Sequence, residues 1–386
     1  MNGYTIEYVY FIFPIVCILI NNIKMSSRLK TIALFVLFII IYSLSLNGSD
    51  YHSYENIYKN FEDSYIQTQV ETGFLVICQL FFRLGIDYTG FRIIYLLAVS
   101  AVLFYSVYKI SPKPAFSLCL ISCMFLIYLI STYRQYMVMA FTMYSCLEYS
   151  KGRIRKAFII LILMAFIHIC ALEPLLFMLL YHFGREDIST RFNPDITRLG
   201  FGLLISSYII RIVLVVLLNV SAVKALVDSI IRGRVGTTPT PLSFGLLSRS
   251  VILILIIYLY YLVKPKDRLL NILYWMYLTG MFFYIMIPLE LLMGRLMNTV
   301  NTLSTLLIPM LLCYKADEKD QSADGILYEK GIVRGWIVSK GIIVIAIVML
   351  FFQLTNQNGY TPYYNILKGD TFKTVKFQEL KKAETQ

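Results

Sequence analysis

Of three histidines, His52, His168 and His182, only His168 lies within a long apolar run. Imidazole is the usual general base near neutral pH, so His168 is a candidate to take a proton; a hydrogen-bonded core histidine is the alternative. No HExxH or HxxxH pair occurs, so no metal site is expected. Arg134 and Arg295 stand at the edges of apolar runs, and Arg211 stands near the middle of one. A guanidinium group fits phosphate oxygens two at a time. These arginines are either lipid-surface anchors or ligands for an anionic substrate, and Arg211 has the further option of a structural pair with the deeply placed Glu173. Arg232-Gly233-Arg234 adds two cations around a glycine that permits close backbone approach. Asp50-Tyr51-His52-Ser53-Tyr54, with Glu55 and Glu71 nearby, mixes carboxylate, aromatic and hydroxyl groups. Such a mixture suits a sugar, whose faces stack on rings and whose hydroxyls donate to carboxylates; a solvated acidic loop is the alternative. There is no GxxxxGK[ST] loop, no GxGxxG and no DxD pair. No cofactor is expected, and a donor entering from lipid fits better than a soluble nucleotide sugar.

The elements that carry these residues follow from composition. Hydrophobic residues make up 58% of the 386 and charged residues 15%, against ~45–50% and roughly 25% in a soluble domain. A soluble globule could not hide that much apolar surface. A soluble enzyme, a disordered chain and a nucleic-acid-binding module are excluded, leaving an all-α polytopic membrane helix bundle. The net charge of +12 then reads as cations flanking helices near anionic lipid rather than as a nucleic-acid surface. The seven cysteines sit in apolar stretches with no CxxC pair, as small space-fillers. The first apolar run follows Glu7 without a basic region before it and reads as a retained helix.

Spans drawn between charges fall at 5–23, 31–46, 91–109, 115–133, 135–150, 157–181, 199–220, 249–263, 269–288, 296–314 and 339–354. About 11–13 transmembrane helices are expected, within one domain over 1–354 followed by a tail, 355–386. Thr72–Phe82, between Glu71 and Arg83, is too short to cross at about 1.5 Å per residue and is expected to be an interfacial or re-entrant helix. The basic loop Lys151–Lys156 and the loop with Lys24, Arg28 and Lys30 are expected in the cytoplasm; the acidic loop 47–71 is expected outside. These agree only if 72–84 does not cross. After residue 157 the charges allow two topologies. One places 182–199, 264–268 and 315–338 inside and needs 157–181 to be a broken hairpin, with Glu173-Pro174 as its break.

Several short motifs recur in a known order. Asn47-Gly48-Ser49-Asp50-Tyr51 with Tyr54 resembles a Gly-x-Asp and Tyr cluster after a second helix. Glu71-Thr72-Gly73-Phe74 resembles Glu-Pro-Gly-Phe, with Thr in place of Pro. Tyr133-Arg134-Gln135 resembles Ile-Arg-Gln. Lys156 to Ala171 resembles a basic loop, apolar run and His-Tyr-Ser-Ala, though the residues after His168 depart from that pattern. Gly294-Arg295 and Pro362-Tyr363 also have counterparts. Together they resemble the EpsG/Wzy-type polysaccharide polymerases of bacterial membranes.

The resemblance implies a metal-independent glycosyltransferase in the bacterial inner membrane. Its donor is a glycan on undecaprenyl diphosphate and its acceptor a fresh lipid-linked repeat unit, joined at the outer face. A chain-length regulator and a flippase are the protein partners this implies. It favours the topology that puts Arg134, Arg295, 221–248 and 47–71 on one side. Arginines must then meet the leaving diphosphate: Arg134, Arg295 and Arg211, with Arg232 and Arg234 as further candidates and Tyr54 as a sugar contact. His168 is the first choice for the base and Asp50 the second, with Glu71 positioning the acceptor. A carrier of lipid-linked oligosaccharide, or a ligase or acyltransferase of similar topology, is the alternative class; the inverted repeat that would favour a carrier is not found.

Overall fold

A computed structural model describes residues 9–45, 50–184, 194–220, 243–314 apart from 264 and 266, and 340–354 apart from 352 and 353. Among these residues regular structure is helical, with no β-strand. The chain divides into two compact units. One comprises Met1–Phe141, Phe166–His168 and Lys330–Gln386; the other comprises Thr142–Ala165 and Ile169–Glu329. The tail 355–386, with Pro362-Tyr363, lies outside the described residues.

The first unit begins with α1 (Val9–Asn22) and α2 (Ser27–Phe38), the latter continued by a π-helical turn, Ile39–Ser43. Three short helices follow: α3 (Tyr51–Lys59), α4 (Ser64–Gln69) and α5 (Thr72–Arg83). The long α6 (Tyr88–Ile110) comes next, then α7 (Pro114–Met124), α8 (Leu126–Ile130) and the start of α9 (Tyr133–Ser150). Asp87 starts α6 by accepting from the Gly90 N–H at 2.8 Å. Helix α1 packs on α7, and α2 packs on α6. Helices α3, α5 and α6 meet through rings: Tyr58 stacks on Phe91 at 4.7 Å, and Phe74 meets Tyr54 and Tyr95 edge-on. Helix α5 has the length expected of a non-crossing segment. It buries Phe74 and Cys78, one turn apart, and leaves Val76, Leu80 and Phe82 exposed.

The second unit holds α10 (Ile154–Ala165), a 3-10 turn at Ile169–Ala171, α11 (Leu172–Phe183), α12 (Pro194–Leu218), α13 (Phe244–Val263), α14 (Arg268–Met286), α15 (Glu290–Asn301) and α16 (Ser304–Cys313). Helix α14 is its centre: α11, α12 and α15 all pack on it. Helix α12 is inside-out by soluble standards. Ile205, Ile209, Ile212 and Val216 are exposed, while Ser207 and Arg211, also one turn apart, are buried. That pattern is the one lipid imposes.

Five of the expected spans are helical stretches long and apolar enough to cross a membrane: Tyr88–Ile110, Arg198–Leu218, Gly245–Val263, Arg268–Met286 and Leu296–Cys313, the last running from α15 through a turn at Thr302 and Leu303 into α16. The chain is a multi-pass membrane protein. Two other expected spans are interrupted. Within 115–133 the helix stops at Phe125, and every residue of α7 is buried, so protein rather than lipid surrounds the irregular backbone. Within 157–181 the break lies at Phe166–His168, not at Glu173-Pro174. Pro174 is the third residue of α11, where a missing N–H leaves no intrahelical bond unmade. Helices α10 and α11 pack on each other on either side of that break.

Candidate functional site

Glu71 is the centre of the first unit's polar cluster. It precedes α5, whose first N–H groups have no partner within the helix. One of them, from Gly73, donates to the Phe166 carbonyl at 2.9 Å. A Cβ on Gly73 would lie 2.6 Å from that oxygen, so only glycine allows the approach. The start of α5 is thereby fixed against Phe166–His168. Glu71 Oε1 lies 3.9 Å from His168 Nδ1, and Glu71 Oε2 is paired with Arg134 Nη1. Glu71, Arg134 and His168 are each mostly withdrawn from solvent, with side-chain exposures of 24%, 17% and 16%.

Arg134 is in the first turn of α9. Its guanidinium carbon lies 5.8 Å from the Tyr54 ring centre and 5.7 Å from that of Phe74. Its Nε is buried with no hydrogen-bond partner among the described residues. Tyr54 also stacks on Tyr133 at 4.6 Å. Burial pushes the Tyr54 phenol above its ordinary range, with Arg134 acting against that rise. Burial likewise pushes Tyr51 up to about 12, Arg92 opposing. Both phenols stay neutral at physiological pH and can donate. Asp50 joins the cluster through its backbone N–H, which donates to Ser131 Oγ at 3.2 Å, three residues before Arg134. Asp50, Tyr54, Glu71, Arg134 and His168, far apart in sequence, thus share one neighbourhood.

Arg92 is a residue that sequence reasoning missed. It stood at the border of a span and read as an ordinary boundary charge. It is fully buried, donates to Tyr133 Oη at 2.5 Å and to the Ser43 carbonyl at 3.3 Å, and lies beside the rings of Tyr51 and Tyr133. It holds the residue next to Arg134.

The remaining candidates belong to the second unit. Arg211 is buried, and its Nη1 donates to the carbonyls of Ile285 and Ile287 at 3.0 and 3.3 Å, at the end of α14. The alternative pairing with Glu173 is not formed: both Glu173 oxygens are buried without a hydrogen-bond partner among the described residues. Arg295 is on α15, with its side chain outside the described residues; Arg232 and Arg234 also lie outside them. Among the described residues no three of His, Cys, Asp and Glu gather closely enough to hold a metal ion.

Chemically, the first unit offers a carboxylate bridging a guanidinium and an imidazole beneath tyrosine rings. Glu71 Oε1 stands on the Nδ1 side of the His168 ring, at 3.9 Å. The cation and rings suit an anionic, sugar-bearing ligand. No curated protein and no solved structure matches the chain. The EpsG family model matches residues 28–365, a range that contains every residue of this cluster. The chain therefore belongs to the EpsG family, membrane proteins of the polysaccharide-polymerase type.

Proposed function

We propose that the protein extends a glycan at the outer face of the bacterial inner membrane, using undecaprenyl diphosphate as the leaving group and no metal ion. The observation that carries the reading is the Glu71 carboxylate, paired with Arg134 and turned toward His168 Nδ1. A hydroxyl of the acceptor repeat unit attacks the anomeric carbon of the donor glycan. The new glycosidic bond forms as the sugar–phosphate bond breaks. His168 takes the hydroxyl proton, and the diphosphate leaves carrying the electron pair. Glu71 orients the imidazole and the acceptor, and Tyr54 meets the sugar. Asp50 is the second candidate for the base. Fixed cations are effective against charge that develops in a water-poor site. Arg134 is the cation of the Glu71 cluster; Arg295, Arg211, Arg232 and Arg234 are the further proposed diphosphate ligands. A chain-length regulator and a flippase are the proposed protein partners.

The test is the polymer ladder of a strain lacking the native gene and complemented with single variants. His168→Ala and Arg134→Ala should each leave single-repeat products, with protein levels unchanged and polymer reduced by at least 100-fold, the order expected for losing a general base. Full-length chains from both variants would overturn the assignment. Loss of the single-repeat product as well would favour a carrier over a polymerase.

A further inference from the structure

The turn joining α9 to α10, in the second unit, plays no part in the reaction above. Helix α9 ends toward Gly152, whose φ of 82° is a left-handed conformation that favours glycine. The Gly152 N–H donates to the Tyr149 carbonyl and the Arg153 N–H to the Glu148 carbonyl, each at 3.0 Å, which closes the helix and fixes the turn. Glu148 is thereby held beneath it. Its side chain is 1% exposed, and its carboxylate accepts from Lys151 Nζ at 2.9 Å, Lys156 Nζ at 3.0 Å and Arg153 Nη1 at 3.1 Å. The three cations keep side-chain exposures of 37, 47 and 61% in that order. Arg155 is exposed in the same turn and makes no hydrogen bond or ion pair among the described residues.

One buried carboxylate therefore serves a turn that carries four cations, and among the described residues no other carboxylate pairs with them. Three positive charges stay uncompensated, and Glu148 holds their carriers in place instead of neutralising them. Cations fixed in advance meet an anion at a low ordering cost, and the guanidinium groups of Arg153 and Arg155 match phosphate oxygens. Gly152–Lys156 line an open concavity of about 490 Å³.

The surroundings say what kind of anion fits. Beyond the cations the outer side of α10 turns apolar: Ile159, one turn from Arg155 and Lys156, is exposed, as are Ile162 and Leu163 in the next turn. Helix α11 runs back along α10, with His182 meeting Phe158 at 5.8 Å between ring centres, and its Leu176, Leu180 and Phe183 are exposed too. A cationic end continued by apolar faces on two adjacent helices matches an amphiphile with an anionic head and acyl tails. A soluble anion would use only the first part.

We propose that the turn Lys151–Lys156, organised by Glu148, binds the headgroup phosphate of an anionic phospholipid whose acyl chains lie along α10 and α11. This does not rest on the lipid-linked reaction.

The experiment uses the full chain in detergent, titrated separately with phosphatidylglycerol, phosphatidylcholine and inorganic phosphate, with bound molecules counted by native mass spectrometry. Wild type should hold one phosphatidylglycerol in clear preference to phosphatidylcholine. Arg155→Gln should weaken that binding about fivefold, and Arg153→Gln combined with Arg155→Gln roughly twentyfold. Glu148→Gln separates a built site from diffuse attraction. It makes the turn more cationic, so attraction by charge alone would tighten binding, whereas loss of the carboxylate that arranges the cations should weaken it. Tighter binding by Glu148→Gln would overturn the site, as would equal binding of the two phospholipids or wild-type binding by the double arginine variant. Inorganic phosphate bound as tightly as phosphatidylglycerol would overturn the lipid as occupant. If Glu148→Gln fails to fold, the variants at the exposed Arg153 and Arg155 decide.

Discussion

Arg92 and Arg134 show how differently two arginines of one sheltered cluster can be employed. Arg134 has a carboxylate partner in Glu71 and retains some access to solvent. Arg92 has no access; it spends its donors on Tyr133 Oη and the Ser43 carbonyl and fills the space between two tyrosine rings. Its work is to hold Tyr133, and through the backbone the adjacent Arg134. Arg92→Ala should therefore lower stability by about 1–3 kcal/mol for each acceptor left buried and unbonded, beyond the loss of packed side chain. Thermal unfolding of the purified protein in detergent measures this. Arg92→Lys should recover part of the loss, and a melting temperature unchanged in both variants would contradict the role. The sequence made Glu71, Arg134 and His168 conspicuous because each stands where charge or polarity is costly or recurs in a motif. Arg92 stayed hidden for the opposite reason. It lies close to the border of an apolar run, where an arginine ordinarily reaches the lipid surface, and only the fold reveals that it turns inward.

At the scale of elements, the site depends on a helix start meeting a helix break. The Gly73 N–H is an unpaired donor by virtue of its position in α5, and the Phe166 carbonyl is available because α10 has ended. Joining them satisfies both groups and carries Glu71 to His168. Gly73→Ala introduces a Cβ at 2.6 Å from the Phe166 oxygen and 2.8 Å from its carbonyl carbon. Neither neighbour is a flexible side-chain end that could turn aside. The variant should cost about 1–3 kcal/mol, as overpacking does, and should separate Glu71 from His168. A lower melting temperature together with a shortened polymer ladder is the expected pair of results; a full ladder at wild-type stability would show that the contact is dispensable. The glycine was legible as part of Glu71-Thr72-Gly73-Phe74, but its reason was not. Nor was the break at Phe166–His168, since hydropathy reads Phe166-Ile167-His168-Ile169 as more of the same run. Pro174 drew attention as a breaker, yet it occupies the first turn of α11, where proline is accommodated. The stop at Phe125 was invisible for the same cause: apolar residues on both sides and burial of all of α7.

At the scale of the molecule, the decisive question is which segments share the outer compartment. Composition, the inside-out pattern of α12 and five long apolar helices establish a polytopic membrane protein, and they do not assign a side to any loop. Charge gives an expectation for the first half, with the acidic segment around Asn60 outside and the basic turn at Lys151–Lys156 in the cytoplasm. That basic turn is less cationic than its sequence suggests, because Glu148 pairs with Lys151, Arg153 and Lys156 at 2.9–3.1 Å. For the second half the expectation has 157–181 enter and return as a broken hairpin. Single cysteines at Asn60 and Thr240 should then react with a membrane-impermeant maleimide added to whole spheroplasts, while those at Thr190 and Arg155 should react only after lysis. The native background is favourable, since six of the seven cysteines are buried and Cys313→Ser removes the partly accessible one. Labelling at Thr240 only after lysis would place 221–248, with Arg232 and Arg234, in the cytoplasm. Those two arginines would then be removed from any reaction at the outer face, whereas the Glu71–Arg134–His168 cluster, fixed on the first unit, would keep its side as long as Asn60 labels from outside.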